Sequence, residues 1–578
     1  MAQVTYRANL SARAFPFISD NWGRTVIVPQ YDNTYSKALA SSEDIDEDIG
    51  IPQIYYCHNM LPNAQGFQSV GYTQVITPST SITDFTSVYL LRDTDDTKVY
   101  LGVTENNTFY VSSGTGWAVK GTFGSAGAEV TVAHVSGTSY ICVAGYGFLR
   151  YDFASQLFVS VTLSGLNTAL IKGLTGAVGY LIAWSSPVAA VSRVFTTTSG
   201  STTIAGAATT GIVLNQPVKG TGIPDGTYVA AITGGVSITL SQAATVTGSA
   251  TLIFSAMSCP VGWSSTIDPT DFVPSLVTGA GGGNVEGARG AITFCAAHTL
   301  GFIVYTTNNA VSAVYSNNAR YPFNFREIVA SGGVASQGLV SVDANSSNHY
   351  AYTTSGFQLV STSQAQTVLA DLTDFISGRV FEDFDETTNT FTQTQLTAPM
   401  QKKLNVIADR YLIISYGIDS LTHAIIYDIS QKRFGKVKIP HVATIEYQLP
   451  DPDVVEIPKQ SVGFLQADGA LKVIDFSPYS TNSYGVIALG KYQFVRQRLL
   501  QLDTISVENI YNQSTFECLL LTSLDGKNTA QSTPDVLSTS GKLKVFGTRK
   551  TGINHSLVFK GSMQLNSVIL QFNLDAKR

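Results

Sequence analysis

The run FEDFDETTN places four carboxylates, Glu382, Asp383, Asp385 and Glu386, within five consecutive positions. A second acidic run, SSEDIDEDIG, carries Glu43, Asp44, Asp46, Glu47 and Asp48. Paired carboxylates are the working parts of glycosidases, which need them roughly 5–9 Å apart on either side of a bound sugar. Such pairs come from different strands around an aromatic cleft. Acids clustered in one loop read first as a solvated face. The segment DTDDT, Asp93–Thr97, has the oxygens of a calcium loop but not its glycine or its distal glutamate, and reads as a hairpin turn.

Other chemistries are excluded by spacing. No G-x-S-x-G elbow and no G-x-x-x-x-G-K-[ST] loop occurs in the sequence. GAGGGNVEG, Gly279–Gly287, does not join a strand to a helix, so it reads as a mobile loop and not as a phosphate cradle. The histidines His58, His134, His298, His349, His423, His441 and His555 show no metal-ligand spacing. The five cysteines, Cys57, Cys142, Cys259, Cys295 and Cys518, are odd in number, scattered and without a C-x-x-C. Neither a zinc site nor a disulfide framework is expected, and folding in a reducing cytoplasm is. No catalytic residue, metal ligand or cofactor is assigned, and the chain is expected not to be an enzyme.

Composition narrows the class. Charged residues are 13% of the 578, against about 25% in ordinary soluble domains. Glycine, serine and threonine fill the difference, giving the polar but uncharged surface of adhesins and virion proteins. The net charge of −6 and the absence of a basic block argue against tight phosphate-backbone binding. No apolar run of membrane-spanning or signal-peptide length is present.

The elements that position these residues are strands. VYLLRD, KVYLGVT, TFYVSS and WAVKGTF follow one another from Val88, separated by Asp, Asn and Gly turns. EVTVAHV, SYICVAG, GFLRYD and LFVSVTL repeat that grammar from Glu129 to Leu163. It returns from Ala291, from Val340 and from Arg410. Four-strand units at this period imply an all-β chain with a β-propeller-like body of six to eight units. A stack of β-sandwiches is the structural alternative. One helix is expected, within Gln364–Glu386.

Between the blade-like strands GYLIAWSS and CPVGWSS lies a nearly uncharged block with short strands GIVLN, YVAAI, SITLS and TLIFS. It reads as a small β-domain inserted at a loop tip, where insertion costs little. The expected organisation is an extended N-terminal platform (1–82), propeller blades (83–193), the inserted domain (194–255), further blades (256–480) and a C-terminal β-module (481–578).

Several phrases carry a resemblance. NMLPNAQGFQSVGY (59–72), WSSTIDPTDFVPSLVTGAGGG (263–283), HTLGFIVYTTNNAVSAVYSNNARYPFNFREI (298–328) and GTRKTGINHSLVFKGSMQLNSVILQFNL (547–574) are similar to segments of tail hub, or tail nozzle, proteins of short-tailed bacteriophages. The resemblance implies a structural virion protein in the tail, assembled in the host cytoplasm as a homo-hexameric ring. That ring would extend the DNA channel below the portal and its head-to-tail adaptor protein. It would help retain the packaged genome, pass double-stranded DNA transiently and without sequence preference, and anchor tail fibres or spikes. In that setting Glu382, Asp383, Asp385 and Glu386 are candidate channel-lining residues, because an acidic lining lets DNA slide where a basic one would grip it. The rival expectations are a β-propeller tail protein that binds or cleaves polysaccharide, and a trimeric fibre or adhesin.

Overall fold

The computed structural model describes residues 3–9, 25–28 and 54–449, apart from short gaps at 64–65, 80–81, 96, 114–115, 207, 319–321, 344–346, 378–379 and 431. It then describes 459–475, 483–494, 500–509, 516–523, 530–531, 535–536, 543–552 and 554–573. The acidic run at 43–48 lies outside the described residues. The chain is all-β with a propeller-like body, and it divides into two compact units.

One unit comprises Ile76–Val368 and Ala467–Ala470. It holds five four-stranded antiparallel sheets in chain order. The first is Phe85–Arg92, Lys98–Thr104, Thr108–Ser113 and Gly116–Thr122; the second is Val130–Val135, Thr138–Val143, Gly147–Asp152 and Leu157–Val161. The third joins Ile171–Ala177 and Tyr180–Ser185 to Pro260–Trp263 and Gly281–Asn284. The fourth is Ile292–His298, Gly301–Thr306, Ala310–Tyr315 and Phe323–Glu327; the fifth is Val340–Val342, His349–Thr353, Gly356–Val360 and Ala365–Thr367.

Why these segments stack is visible in single strands. Alternate residues of a strand point to opposite faces. In Thr138–Val143, Ile141 and Val143 pack with Leu101 and Phe109 of the first sheet, while Tyr140 and Cys142 pack with Leu174 and Leu181 of the third. In Gly301–Thr306, Phe302 and Val304 join Trp184 and Trp263 of the third sheet, and Ile303 and Tyr305 join Ala351 and Val360 of the fifth. Each consecutive pair of sheets therefore shares one core. That is why GFIVYT is apolar at nearly every position, with both faces covered. Tight two-residue turns at Ser136-Gly137 and Val178-Gly179, all four at positive φ, fit the right-handed twist of the strands they join.

GGGN forms a strand rather than the expected mobile loop: Gly281–Asn284 pairs with Pro260–Trp263. Glycine is needed there for close approach. A Cβ on Gly282 would lie 2.7 Å from Asn215 Nδ2 and 2.8 Å from the Val261 carbonyl oxygen.

Between the second and third strands of the third sheet the chain leaves for a six-stranded sheet of its own, formed by Val191–Thr197, Thr203–Ala205, Val218–Lys219, Val229–Thr233, Ser237–Leu240 and Gly248–Phe254. Phe195, Ile204, Val229, Ile238, Leu252 and Phe254 make its separate core. GIVLN, expected as a strand, is a turn. Gly211 and Asn215 take positive φ, and the buried Gln216 side chain accepts from the Val213 N–H at 3.1 Å and donates to the Ser255 carbonyl at 3.0 Å. A side chain has taken the place of a ladder partner.

The other unit comprises Met1–Val75, Leu369–Gln466 and Leu471–Arg578. It contains a four-strand meander that continues into a larger sheet, and a four-stranded sheet completed by a strand from earlier in the chain. One is Gln401–Ile407, Tyr411–Gly417, Leu421–Asp428 and Arg433–His441; the other is Ala443–Leu449, Lys459–Leu465, Leu471–Asp475 and Gly71–Ile76. The ends of the chain share sheets: Gln564–Asn573 pairs with Gln3–Asn9 and with Gly66–Ser69, and Gly485–Phe494 pairs with Thr25–Val28 and Ile54–His58. The helix expected within Gln364–Glu386 is eight residues long, Ala370–Ser377. Strands Ala365–Thr367 and Val380–Asp385 flank it, and in the second of these Phe381 and Phe384 are buried.

Candidate functional site: a polar knot beneath an acidic hairpin

FEDFDETTN folds as a hairpin, with Val380–Asp385 paired to Thr390–Gln395. Its apolar side carries Phe384 and Phe391, which pack with Tyr56, Val486, Ala488, Leu519 and Val558. Its acids do not act as one group. Asp385 is exposed and caps its own turn, accepting from the Thr387 N–H at 2.8 Å. Asp383 turns inward. Its Oδ2 pairs with Lys438 Nζ at 2.8 Å, and its Oδ1 accepts from Tyr56 Oη at 2.9 Å and from the Phe384 N–H at 2.8 Å. His423 Nε2 lies 3.4 Å from the same Oδ1. Glu386 accepts from His58 Nε2 at 2.7 Å. Glu382 lies in the inward-running strand, between Phe381 and Asp383.

Beneath the hairpin lie the strands that supply the partners. Tyr56 and His58 are two apart on one strand, and Lys436 and Lys438 are two apart on another, so each pair shares a face. Lys436 Nζ sits 4.6 Å from the centroid of the Tyr56 ring and 5.6 Å from that of Tyr416. Tyr416 stacks on His423 with ring centroids 5.5 Å apart. The Lys436 ammonium thus rests on aromatic faces where water would otherwise be required.

The contacts Glu386–His58–Tyr56–Asp383 form a chain, with Tyr56 Oη 3.0 Å from His58 Nδ1. With both carboxylates ionised its three links need three protons. Tyr56 brings one, so the chain is complete only when His58 carries both ring protons. Burial opposes this and holds the His58 pKa below its ordinary value; Glu386 pulls it up, and Lys438 and Lys436 push it further down. Burial thus works against the doubly protonated His58 that would complete the chain. Burial also drives His423 down to about 3, against the pull of Asp383. For Asp383 burial pushes upward, but His423 and Lys438 outweigh it and hold the carboxyl well below the usual range.

Asp383 and Glu386 are paired with Lys438, Tyr56 and His58, while the buried His423 Nε2, 3.4 Å from Asp383 Oδ1, makes no hydrogen bond to any described residue. Among the described residues no three His, Cys, Asp or Glu side chains are arranged to hold a metal. Sequence reading had singled out the acids but missed Tyr56, His58, His423, Lys436 and Lys438. The available signal was polar residues at i and i+2 inside otherwise apolar strands, in YYCH and in GKVKIPH.

A cavity of about 530 Å³ lies in the other unit, at the root of the inserted domain. Leu166, Ile212, Asn215, Met257 and Val261 are among its walls, and no ionisable side chain lines it.

No protein family and no curated protein matches the chain in sequence. Among solved structures, it is similar to the WD40 β-propeller domain of Doa1, at 9% identity over 71% of this chain and 98% of that one, with a TM-score of 0.31. It is likewise similar to Sqt1 of Saccharomyces cerevisiae, at 8% identity over 72% of this chain and 99% of that one, with a TM-score of 0.32.

Proposed function

We propose that the chain is a structural virion protein: the subunit of a hexameric tail nozzle ring of a short-tailed bacteriophage. In this reading the ring extends the DNA channel below the portal and adaptor, helps retain packaged DNA, conducts it during ejection and anchors fibres or spikes. The observation that supports it most is the use made of ionisable groups. Where acids, histidines and lysines meet, around the hairpin 380–395, they lock one another and tie strands distant in sequence together. That use of charge suits a structural scaffold. A glycan-cleaving site would need a pair of carboxylates facing an aromatic cleft, whereas Asp383 faces Lys438 and His423. The nearly uncharged inserted domain and the low overall charge suit contacts with other virion proteins.

Electron microscopy of the purified protein, alone and after mixing with portal–adaptor complexes, is the test. Six-fold rings that add to the adaptor are expected. A monomer that releases reducing sugar from host polysaccharide, or a trimer, would replace this reading with the glycan or the fibre one.

A further inference from the structure

The turn of the same hairpin reaches a second group of side chains. Strand Asn554–Gly561 lies between Gly485–Phe494 and Phe516–Ser523. Lys560 stands opposite Val486 on one side and Glu517 on the other. Two residues along, Val558 and Leu519 occupy the same face and meet Phe384 and Phe391 of the hairpin. The hairpin therefore lies over this face, and its turn carries Asn389 to the place where Lys560 ends. Asn389 holds φ 56, a conformation asparagine tolerates better than most residues. Lys560 Nζ donates to Asn389 Oδ1 at 2.7 Å and lies 3.0 Å from Glu517 Oε2. The Lys560 side chain is 12% exposed and that of Glu517 36%.

An amine, a carboxamide and a carboxylate are thus held together. An ion pair alone would need no amide. We propose that Lys560 and Asn389 become joined by an intramolecular isopeptide bond, with Glu517 as the proton carrier. Lys560 gives its ammonium proton to Glu517, and the freed Nζ attacks Cγ of Asn389. Glu517 then passes a proton to the departing amide nitrogen and accepts one from Nζ. The Cγ–Nδ2 bond breaks, the Cγ–Nζ bond remains, and ammonia departs, taking the second proton from Glu517 to become ammonium and leaving Glu517 ionised again. No oxidant, metal or cofactor enters the balance. Reacting atoms poised for such an attack lie roughly 3–3.5 Å apart, and an amine hydrogen-bonded to an amide oxygen is a small rotation away from that position.

The bond has a structural use. The hairpin 380–395 is a two-stranded sheet that pairs with no other described strand, and such a hairpin is marginal by itself. A covalent tie from its turn to Lys560 fastens it to the sheet beneath. This inference stands whether or not the chain forms a tail ring.

Intact-mass spectrometry of the purified full chain tests it. The wild type is expected about 17 Da below its sequence mass, the mass of one lost ammonia, with a branched peptide joining Lys560 to Asn389 after digestion. Lys560→Arg, Asn389→Ala and Glu517→Gln are each expected to show the full mass. A wild type at full mass after days at neutral pH overturns the proposal. So does a 17 Da loss that persists in Lys560→Arg. A loss that persists in Glu517→Gln overturns the role of Glu517.

Discussion

The inserted domain at 191–254 and the hairpin at 380–395 are both excursions from the regular sheets, and they are secured by opposite means. The insertion has its own apolar core and, within those bounds, no histidine and few charges, namely Arg193, Lys219 and Asp225. The hairpin borrows its apolar cover from other strands and is tied down by Asp383, Glu386 and their partners. An excursion that buries enough apolar surface for itself can be neutral outside and indifferent to its surroundings. One that cannot must take its stability from charge, and so becomes sensitive to protons.

Acid separates the insertion most strongly from the sheets outside it. Burial lowers the pKa of His134, His349 and His441 to about 4 and of His423 to about 3. These folded values lie below the unfolded value near 6.5, so the unfolded chain binds more protons. The stability these residues confer is present above pH ~6.5 and is lost as pH falls toward 4. Each contributes a loss on the order of 3 kcal/mol by pH 4, against a net stability of roughly 5–15 kcal/mol for a domain. Asp383 and Glu386, whose pKa values are also lowered, add to the loss at still lower pH. Circular dichroism melts between pH 7 and 4 should show the sheets on either side of the insertion losing stability steeply. Residues 191–254 expressed alone should hold theirs.

The second test strikes the insertion's core. Phe254 is fully buried against Phe195, with ring centroids 5.6 Å apart. Phe254→Ala should cost about 3–5 kcal/mol. Because that core is separate, hydrogen exchange should rise within 191–254 and remain unchanged in the five four-stranded sheets. Exchange rising throughout the unit would mean that the insertion is not autonomous.

Third comes the hairpin's principal tie. Asp383→Asn keeps the shape and removes the charge that Lys438 and His423 face. A fully buried pair broken in this way costs roughly 3–5 kcal/mol. With both partners partly exposed, about 2 kcal/mol is expected. Urea unfolding measures it, and a change below about 0.5 kcal/mol would reduce the knot to an incidental surface pair.

How much of this was legible in the sequence follows from the same contrast. The stacked sheets were readable because each strand states its environment locally: GFIVYT is apolar on both faces, and SG or VG turns punctuate at fixed spacing. The insertion was readable because its composition changes at its edges. The hairpin was misjudged for the converse reason. Leu372 and Ile376 have helical spacing, but Phe384 and Phe381 are claimed by Tyr56 and Tyr416, contacts that join separate stretches of chain. GIVLN failed similarly, since the Gln216 side chain, and not the run itself, decides its hydrogen bonding. Acids were visible as residues, but their partners at 56, 58, 423 and 438 lie in other segments, so inward and outward carboxylates could not be told apart.

That distinction sharpens the proposed role of the acidic run in DNA passage. Replacing Glu382, Asp383, Asp385 and Glu386 together would disrupt the knot as well as alter the surface, so any defect would be ambiguous. Asp385 is exposed and its carboxylate accepts hydrogen bonds from its own turn, at the Thr387 and Thr388 N–H groups. Asp385→Lys removes the acceptor of its turn and should lower the melting temperature slightly, while reversing one charge per subunit. In a six-fold ring that places six cations where six carboxylates stood. If the turn faces the channel, phosphates passing within a Debye length of ~8 Å would be held back. Particles assembled with Asp385→Lys are then expected to eject DNA more slowly at low salt, with the delay fading as salt rises, since each phosphate contact releases counterions. Unchanged ejection at low salt from correctly assembled rings would put this turn outside the channel and remove the acidic run from the account of conduction.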